Sequence, residues 1–282
     1  MRGPHGKTTM KNADIVKVSA YWKSGADLSM PIFIRRLITV GRKDAHQIPM
    51  TALPMFGFMF LSSGEVLLDI GGVPLLLGRG QMLLIPPQTP FAVKYYLDSV
   101  GFTGGFRESF LKDPSHPVLR EPSFSVNSFD EGTMSLLSEV FSRILGAYPD
   151  DTSYMRSAVD FIMAHLRPDD SLHGNSIATL FIDRVFDRTR TLGDVSGYAR
   201  EMGISPDILN KIVHKYSTHS CMEWIEIARM AMSRQLLSET HLSVAQVSYA
   251  VGIEDPSYFS RFFRKREGLS PTQFRRMQSK KS

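Results

Sequence analysis

The spacing of apolar positions changes twice along the chain. From about Ile32 to Phe110, short apolar runs alternate with Gly and Pro, as in "GEVLLDIGGVPLLLGRGQMLLIPPQTPFAVKYY". Gly64, Gly71–Gly72, Gly78, Gly80 and Pro86–Pro87 mark the predicted turns, and the runs between them suit strands of a small sandwich or barrel. From Glu131 to Leu166 the period becomes helical. Met134, Leu137, Val140, Phe141 and Ile144 share one face, and Met155, Val159, Ile162, Met163 and Leu166 share another. These predict two amphipathic helices broken near Pro149. "RPDDSLHGNS", Arg167 to Ser176, reads as a polar linker, and the region beyond it reads as nearly all helical.

That last region carries a weak internal duplication. Val195, Tyr198, Ala199, Met202 and Gly203 recur as Val244, Val247, Ser248, Val251 and Gly252, each pair 49 residues apart. "ILNKIV" from Ile208 recurs as "YFSRFF" from Tyr258, 50 residues on. Asp194 and Ser243 are predicted N-caps, and Gln246 completes a capping box with Ser243. Gly203 and Gly252 stand where each first helix must end, a position that favours positive φ. Each copy therefore reads as helix, turn, helix.

On a wheel of about 100° per residue, Tyr258, Phe259, Phe262 and Phe263 form one face of the second copy's last helix. Ser257, Ser260, Arg261 and Arg264 form the opposite face. In the first copy Ile208, Leu209, Ile212 and Val213 are predicted inward, with Asp207, Asn210, Lys211 and His214 outward. The aromatics are thus expected in the core. The outward residues are the candidates for recognition. An Arg fork can bond guanine O6 and N7, and Asn can bond adenine, while Ser and Lys suit phosphate. Between the copies, "MEWIEIARMAMSRQLL" is predicted as a helix burying Trp224, Ile227, Ala228, Met230, Ala231 and Leu236. Such a helix would hold the two units at a fixed separation.

Charge sharpens this picture. The net charge is +5. Residues 177–282 hold 16 Lys and Arg against 11 Asp and Glu, so the excess is all in this part. From Arg261 to Lys281 there are 8 basic residues and one acidic residue, Glu267. An anionic partner is expected for the back half alone.

At these residues a resemblance is plain. "LSVAQVSYAVGIEDPSYFSRFFRKREGLSPTQFRR", Leu242 to Arg276, resembles the signature of AraC/XylS-family transcriptional regulators, and the match extends back through Arg229 and Leu236–Leu237 to about Phe181. The resemblance implies a seven-helix DNA-binding domain with two helix-turn-helix units on a long helix. It implies sequence-specific binding of promoter DNA, chiefly in activation. It places Asn210, Lys211 and His214 at the exposed recognition positions of the first unit, and Ser257, Ser260, Arg261 and Arg264 at those of the second. Gly268, Ser270 and Pro271 match the turn before the last helix. Thr218 stands for a usual Gly, Val213 for Phe, Ser248 for Ala and Ile253 for Phe.

The front half more loosely resembles the cupin-like jelly-roll sensor domain of such regulators. A cupin metal site needs several converging His and carboxylate donors. The predicted barrel offers only His46, and Phe91 stands where a His would serve as a ligand. Cys221 is the sole cysteine, which excludes an intrachain disulfide and a Cys-based zinc site. With no catalytic motif, no enzyme, metal or cofactor is expected. An apolar barrel can hold one small molecule. Phe56, Phe58, Phe60, Phe91 and Tyr95 are the lining candidates, with no effector identified.

The expected organisation is α+β in two domains. An extension spans 1–30, a cupin-like barrel 31–115, a helical dimerisation region 116–170 and a DNA-binding domain 177–282, with helix-turn-helix units near 195–216 and 244–267. RNA polymerase and a second copy of the chain are expected partners. "MRGPHGKTTM" lacks the apolar run of a secretory signal, and "ALPMFGFMFL" falls short of the roughly 20 residues a membrane span needs, so a cytoplasmic protein is expected. The alternative is a ligand- or protein-binding sensor whose helix-turn-helix region acts mainly in protein contact.

Overall fold

The computed structural model describes residues 30–39, 48–121, 123–168, 177–187 and 192–279. His46, the extension through residue 29 and linker residues 169–176 lie outside the described residues. The chain divides into two compact units, Met1–Asn175 and Ser176–Ser282.

The first unit is built on an antiparallel sheet of seven strands: β1 Ile32–Ile38, β2 Ile48–Thr51, β3 Phe56–Ile70, β4 Val73–Leu77, β5 Gln81–Ile85, β6 Phe91–Phe106 and β7 Ser125–Ser128. The order is β1-β6-β3-β5-β7, with β2 also on β6 and β4 on β3. The long strands β3 and β6 pair along their whole length. Gly71–Gly72 is the expected hairpin turn, with φ of 62° and 86°, and Ile70 faces Val73.

Gly64 departs from the expectation. It sits inside β3, where the register with β6 shifts between Leu61 and Glu65. Its φ is 76°, and a Cβ there would lie 2.4 Å from the carbonyl oxygens of Leu97 and Asp98. Gly64 therefore serves a bulge rather than a turn. The bulge also changes which side chains face which way, because the irregular residue breaks the alternation along β3. Before it, Phe56, Phe58 and Phe60 share one core cluster. After it, Val66, Leu68 and Ile70 belong to the other, with Met59, Leu61, Phe91 and Val93.

Two helices cover the first of these faces: α1, Glu131–Ala147, and α2, Thr152–Met163. Asp130 and Asp151 cap them. The break between them contains Pro149, as its position predicts. Phe141 of α1 stacks on Phe58, Phe60 and Phe102 at 5.3–5.4 Å. The aromatics suggested as one lining are thus split. Phe56, Phe58 and Phe60 pack against helices, Phe91 lies in the other cluster and Tyr95 is half-buried.

The second unit contains seven helices among the described residues: α3 Ile177–Val185, α4 Val195–Glu201, α5 Pro206–Tyr216, α6 Cys221–Glu239, α7 Val244–Ala250, α8 Pro256–Glu267 and α9 Pro271–Ser279. α6 buries Trp224, Ile225, Ala228, Met230, Ser233 and Leu237. Ile227, Ala231 and Leu236, expected inside, are half-buried. Among the described residues, no helix is long and apolar enough to cross a membrane.

Candidate nucleic-acid interface

Each copy of the duplication folds as a short helix, a tight turn and a second helix. Asp194 caps α4, accepting from Gly197 N–H at 2.7 Å. Ser243 caps α7 in the expected box: Gln246 N–H donates to Ser243 Oγ at 3.1 Å, and Ser243 N–H donates to Gln246 Oε1 at 2.8 Å. The turns share one pair of backbone bonds. Ile204 N–H donates to Ala199 O at 3.1 Å and Gly203 N–H to Arg200 O at 3.1 Å. Ile253 N–H donates to Ser248 O at 2.9 Å and Gly252 N–H to Tyr249 O at 3.0 Å. This paired bonding closes a helix end with its glycine at positive φ. Gly203 and Gly252 have φ of 69° and 70°. Ser248 is buried, and its hydroxyl donates to Ile253 O at 2.5 Å, so the departure from Ala adds a bond across the turn.

The second helices, α5 and α8, both begin on a proline after a capping residue, Ser205 and Asp255. Leu209 and Val213, and in turn Phe259, Phe262 and Phe263, are buried. Lys211, His214, Ser257, Arg261 and Arg264 are exposed, while Asn210 and Ser260 are half-buried. The Ser260 hydroxyl donates to Pro256 O at 2.9 Å. Among the described residues, Arg261 and Arg264 have no acidic partner.

Two residues predicted inward are not. Ile208 is 48% exposed and Tyr258 50%. They occupy equivalent positions in the first turns of α5 and α8. The apolar arc read from the wheel is wider than the stripe the neighbouring helices cover, and both residues sit at its edge. The Tyr258 ring stacks on Phe262 instead, at 6.4 Å.

The basic excess divides into two groups that charge counting could not separate. Arg234 pairs with Glu267 at 2.7 Å, and Arg266 pairs with Glu226 and lies 5.1 Å over the Phe262 ring. Arg275 donates to Leu237 O at 3.2 Å and Leu242 O at 2.5 Å, tying α9 to the end of α6. Arg229 donates to three backbone carbonyls, and burial pushes its guanidinium pKa down. These four side chains hold the unit together. Arg261, Arg264, Lys265 and Arg276 are left exposed on α8 and α9.

The first unit ends differently from the second. α8 closes on Gly268 at φ 80°, whereas α5 closes on Ser217 at φ −138°. α5 has already ended at Ser217, and Thr218, at the usual glycine position, does not take the positive φ that would favour glycine. The Ser217 hydroxyl accepts from Trp224 Nε1 at 2.8 Å and from His219 N–H at 3.1 Å, fastening this end to α6. Cys221 is buried beside it, and burial pushes its thiol up to about 11, which suits packing rather than nucleophilic chemistry. Among the described residues, no cluster of three or more His, Cys, Asp and Glu could hold a metal ion.

Residues 198–277 match a helix-turn-helix domain family. The arabinose operon regulatory protein of Salmonella typhimurium is 26% identical over 229 residues, covering 75% of this chain and 80% of that protein. The Msm operon regulatory protein of Streptococcus mutans is 25% identical over 242 residues, covering 77% and 82%. A DNA-binding transcriptional dual regulator from Escherichia coli K-12 has a solved structure 21% identical, with a TM-score of 0.34, covering 40% of this chain and 99% of that one.

Proposed function

We propose that this chain, whose C-terminal unit is an AraC-type helix-turn-helix domain, regulates transcription by reading two successive major grooves of promoter DNA with α5 and α8. The observation that carries this reading is the recurrence of one backbone device. Two turns with the same bonds present two helices whose outward faces carry Asn210, Lys211 and His214, and Ser257, Ser260, Arg261 and Arg264. Arg261 has the chemistry for a guanine edge, and Arg264, Lys265 and Arg276 suit phosphate. The two grooves would lie about 34 Å apart along one face of the duplex.

Activation, with contact to RNA polymerase in the cytoplasm, is the role the resemblance supports. A cupin-like jelly roll is supported by the antiparallel strand order and by the apolar cluster of Met59, Leu61, Phe91 and Val93. The front unit contains a gap of about 10 Å³ between sheet and helices, lined by Ile34, Phe58, Phe141, Val159 and Ile162 among others. That is room for about one water, so a small-molecule effector would have to displace side chains. α1 exposes Leu136, and α2 exposes Tyr154 and Phe161, which a second copy of the chain would cover in a homodimer.

The test is a gel-shift salt series on genomic fragments selected by the purified chain. Specific retention that falls steeply with salt is expected, because neutralised phosphates release counterions. Retention of no fragment at low salt would assign the second unit to protein contact.

A further inference from the structure

The two helix-turn-helix units meet at a second joint besides α6. Leu192 and Gly193 lead into α4 of the first unit, and they lie against the turn of the second. A Cβ at residue 252 would sit 1.9 Å from the Leu192 carbonyl oxygen, so only glycine allows the approach. Gly203, at the same place in the first unit, has nothing within 4 Å of such a Cβ. Arg229, in the middle of α6, bonds both sides of the joint. Its Nη2 donates to Gly193 O at 3.3 Å and to Gly252 O at 3.2 Å, and its Nε donates to Val251 O at 3.2 Å. One planar fork therefore ties the entry of the first unit to the turn of the second, a geometry that a lysine cannot reproduce.

We propose that Arg229 and Gly252 are positioning residues that lock α5 and α8 in one register, so that the protein accepts a single spacing and rotational phase between its two DNA sub-sites. Both residues are engaged within the protein, Arg229 with three carbonyls and Gly252 against Leu192. The inference rests on the two-groove reading above. Without the joint, α6 alone would connect the units, and bending or fraying of that helix would let one recognition helix shift against the other.

The test uses the full chain and duplexes carrying its footprinted site with one or two base pairs added or removed between the two protected patches. Each base pair rotates one patch by roughly 35° relative to the other and moves it by about 3.4 Å. The wild type should lose about tenfold or more in affinity for the first altered base pair. Arg229→Ala should bind the native spacing more weakly and vary by no more than about threefold across the series. Gly252→Ala, which breaks the joint from the other side, should flatten the series in the same way. Arg229→Lys should give an intermediate profile. Should circular dichroism show that Arg229→Ala has lost its helices, Arg229→Lys decides: a profile as steep as wild type overturns the proposal. So does a uniform loss in folded Arg229→Ala that leaves the profile steep, or a flat profile in the wild type. Failure of the wild type to protect any DNA overturns the two-groove reading itself.

Discussion

The two helix-turn-helix units share a backbone and differ in what surrounds it. Both turns use the same two hydrogen bonds around a glycine near φ 70°. Around Gly203 there is open space, whereas Gly252 is pressed against Leu192. The second unit packs aromatic rings where the first has Leu209 and Val213, and it ends on a left-handed glycine where the first ends on an extended serine. Its outward face is rich in arginine, while the first unit's carries Asp207 among its polar residues. The two copies thus differ in packing and charge while the turn between their helices is the same.

The largest effects should come from the buried faces. Phe259→Ala should cost about 3–5 kcal/mol and Leu209→Ala about 2–5 kcal/mol. Because α6 and Arg229 join the units, both variants should lower one shared urea transition. Two separate transitions would show that the units fold independently. Next come the glycines. Gly203→Ala should cost roughly 1–2 kcal/mol, the penalty of a left-handed alanine. Gly252→Ala should cost clearly more, because the new methyl also meets the Leu192 carbonyl. Equal urea midpoints would contradict the close approach.

Smaller effects should separate the outward faces. Arg261→Ala should cost about 1–3 kcal/mol in specific DNA binding and relax preference at one base pair. Lys211→Ala should weaken binding by less and reduce the salt slope by about 1, as for a phosphate contact. Equal weakening by Arg261→Ala on specific and random duplexes would move Arg261 to the phosphates. Smallest of all, Ile208→Ala and Tyr258→Ala should change stability by no more than about 0.5 kcal/mol, since both side chains are half exposed. A loss comparable to that of Phe259→Ala would place them in the core after all.

Much of this frame was legible in the sequence, for local reasons. Asp194, Ser243 and Gln246 cap helices with their own backbone, and Gly203 and Gly252 answer a local demand for positive φ. What was not legible depends on distant partners. The wheel gives the direction of Tyr258 but not the width of the stripe its neighbours cover. Periodicity in β3 gave no sign of the bulge at Gly64 that sends Phe58 and Leu68 to different clusters. Charge counting gave Arg229 and Arg261 equal weight, although Arg229 is engaged by carbonyls up to 36 residues away and Arg261 is exposed. The same limit applies to the end of α5, which closes on extended Ser217 with its hydroxyl held by Trp224.

Under the proposed function, one chain would place α5 and α8 in two grooves on the same face of DNA. Hydroxyl-radical footprinting of the purified full chain on a selected genomic fragment tests it most directly. Two protected patches about 10 base pairs apart, centre to centre, are expected on one face of the duplex. Arg261→Ala should weaken one patch and Lys211→Ala the other. A single patch, or two patches that both variants weaken equally, would contradict it.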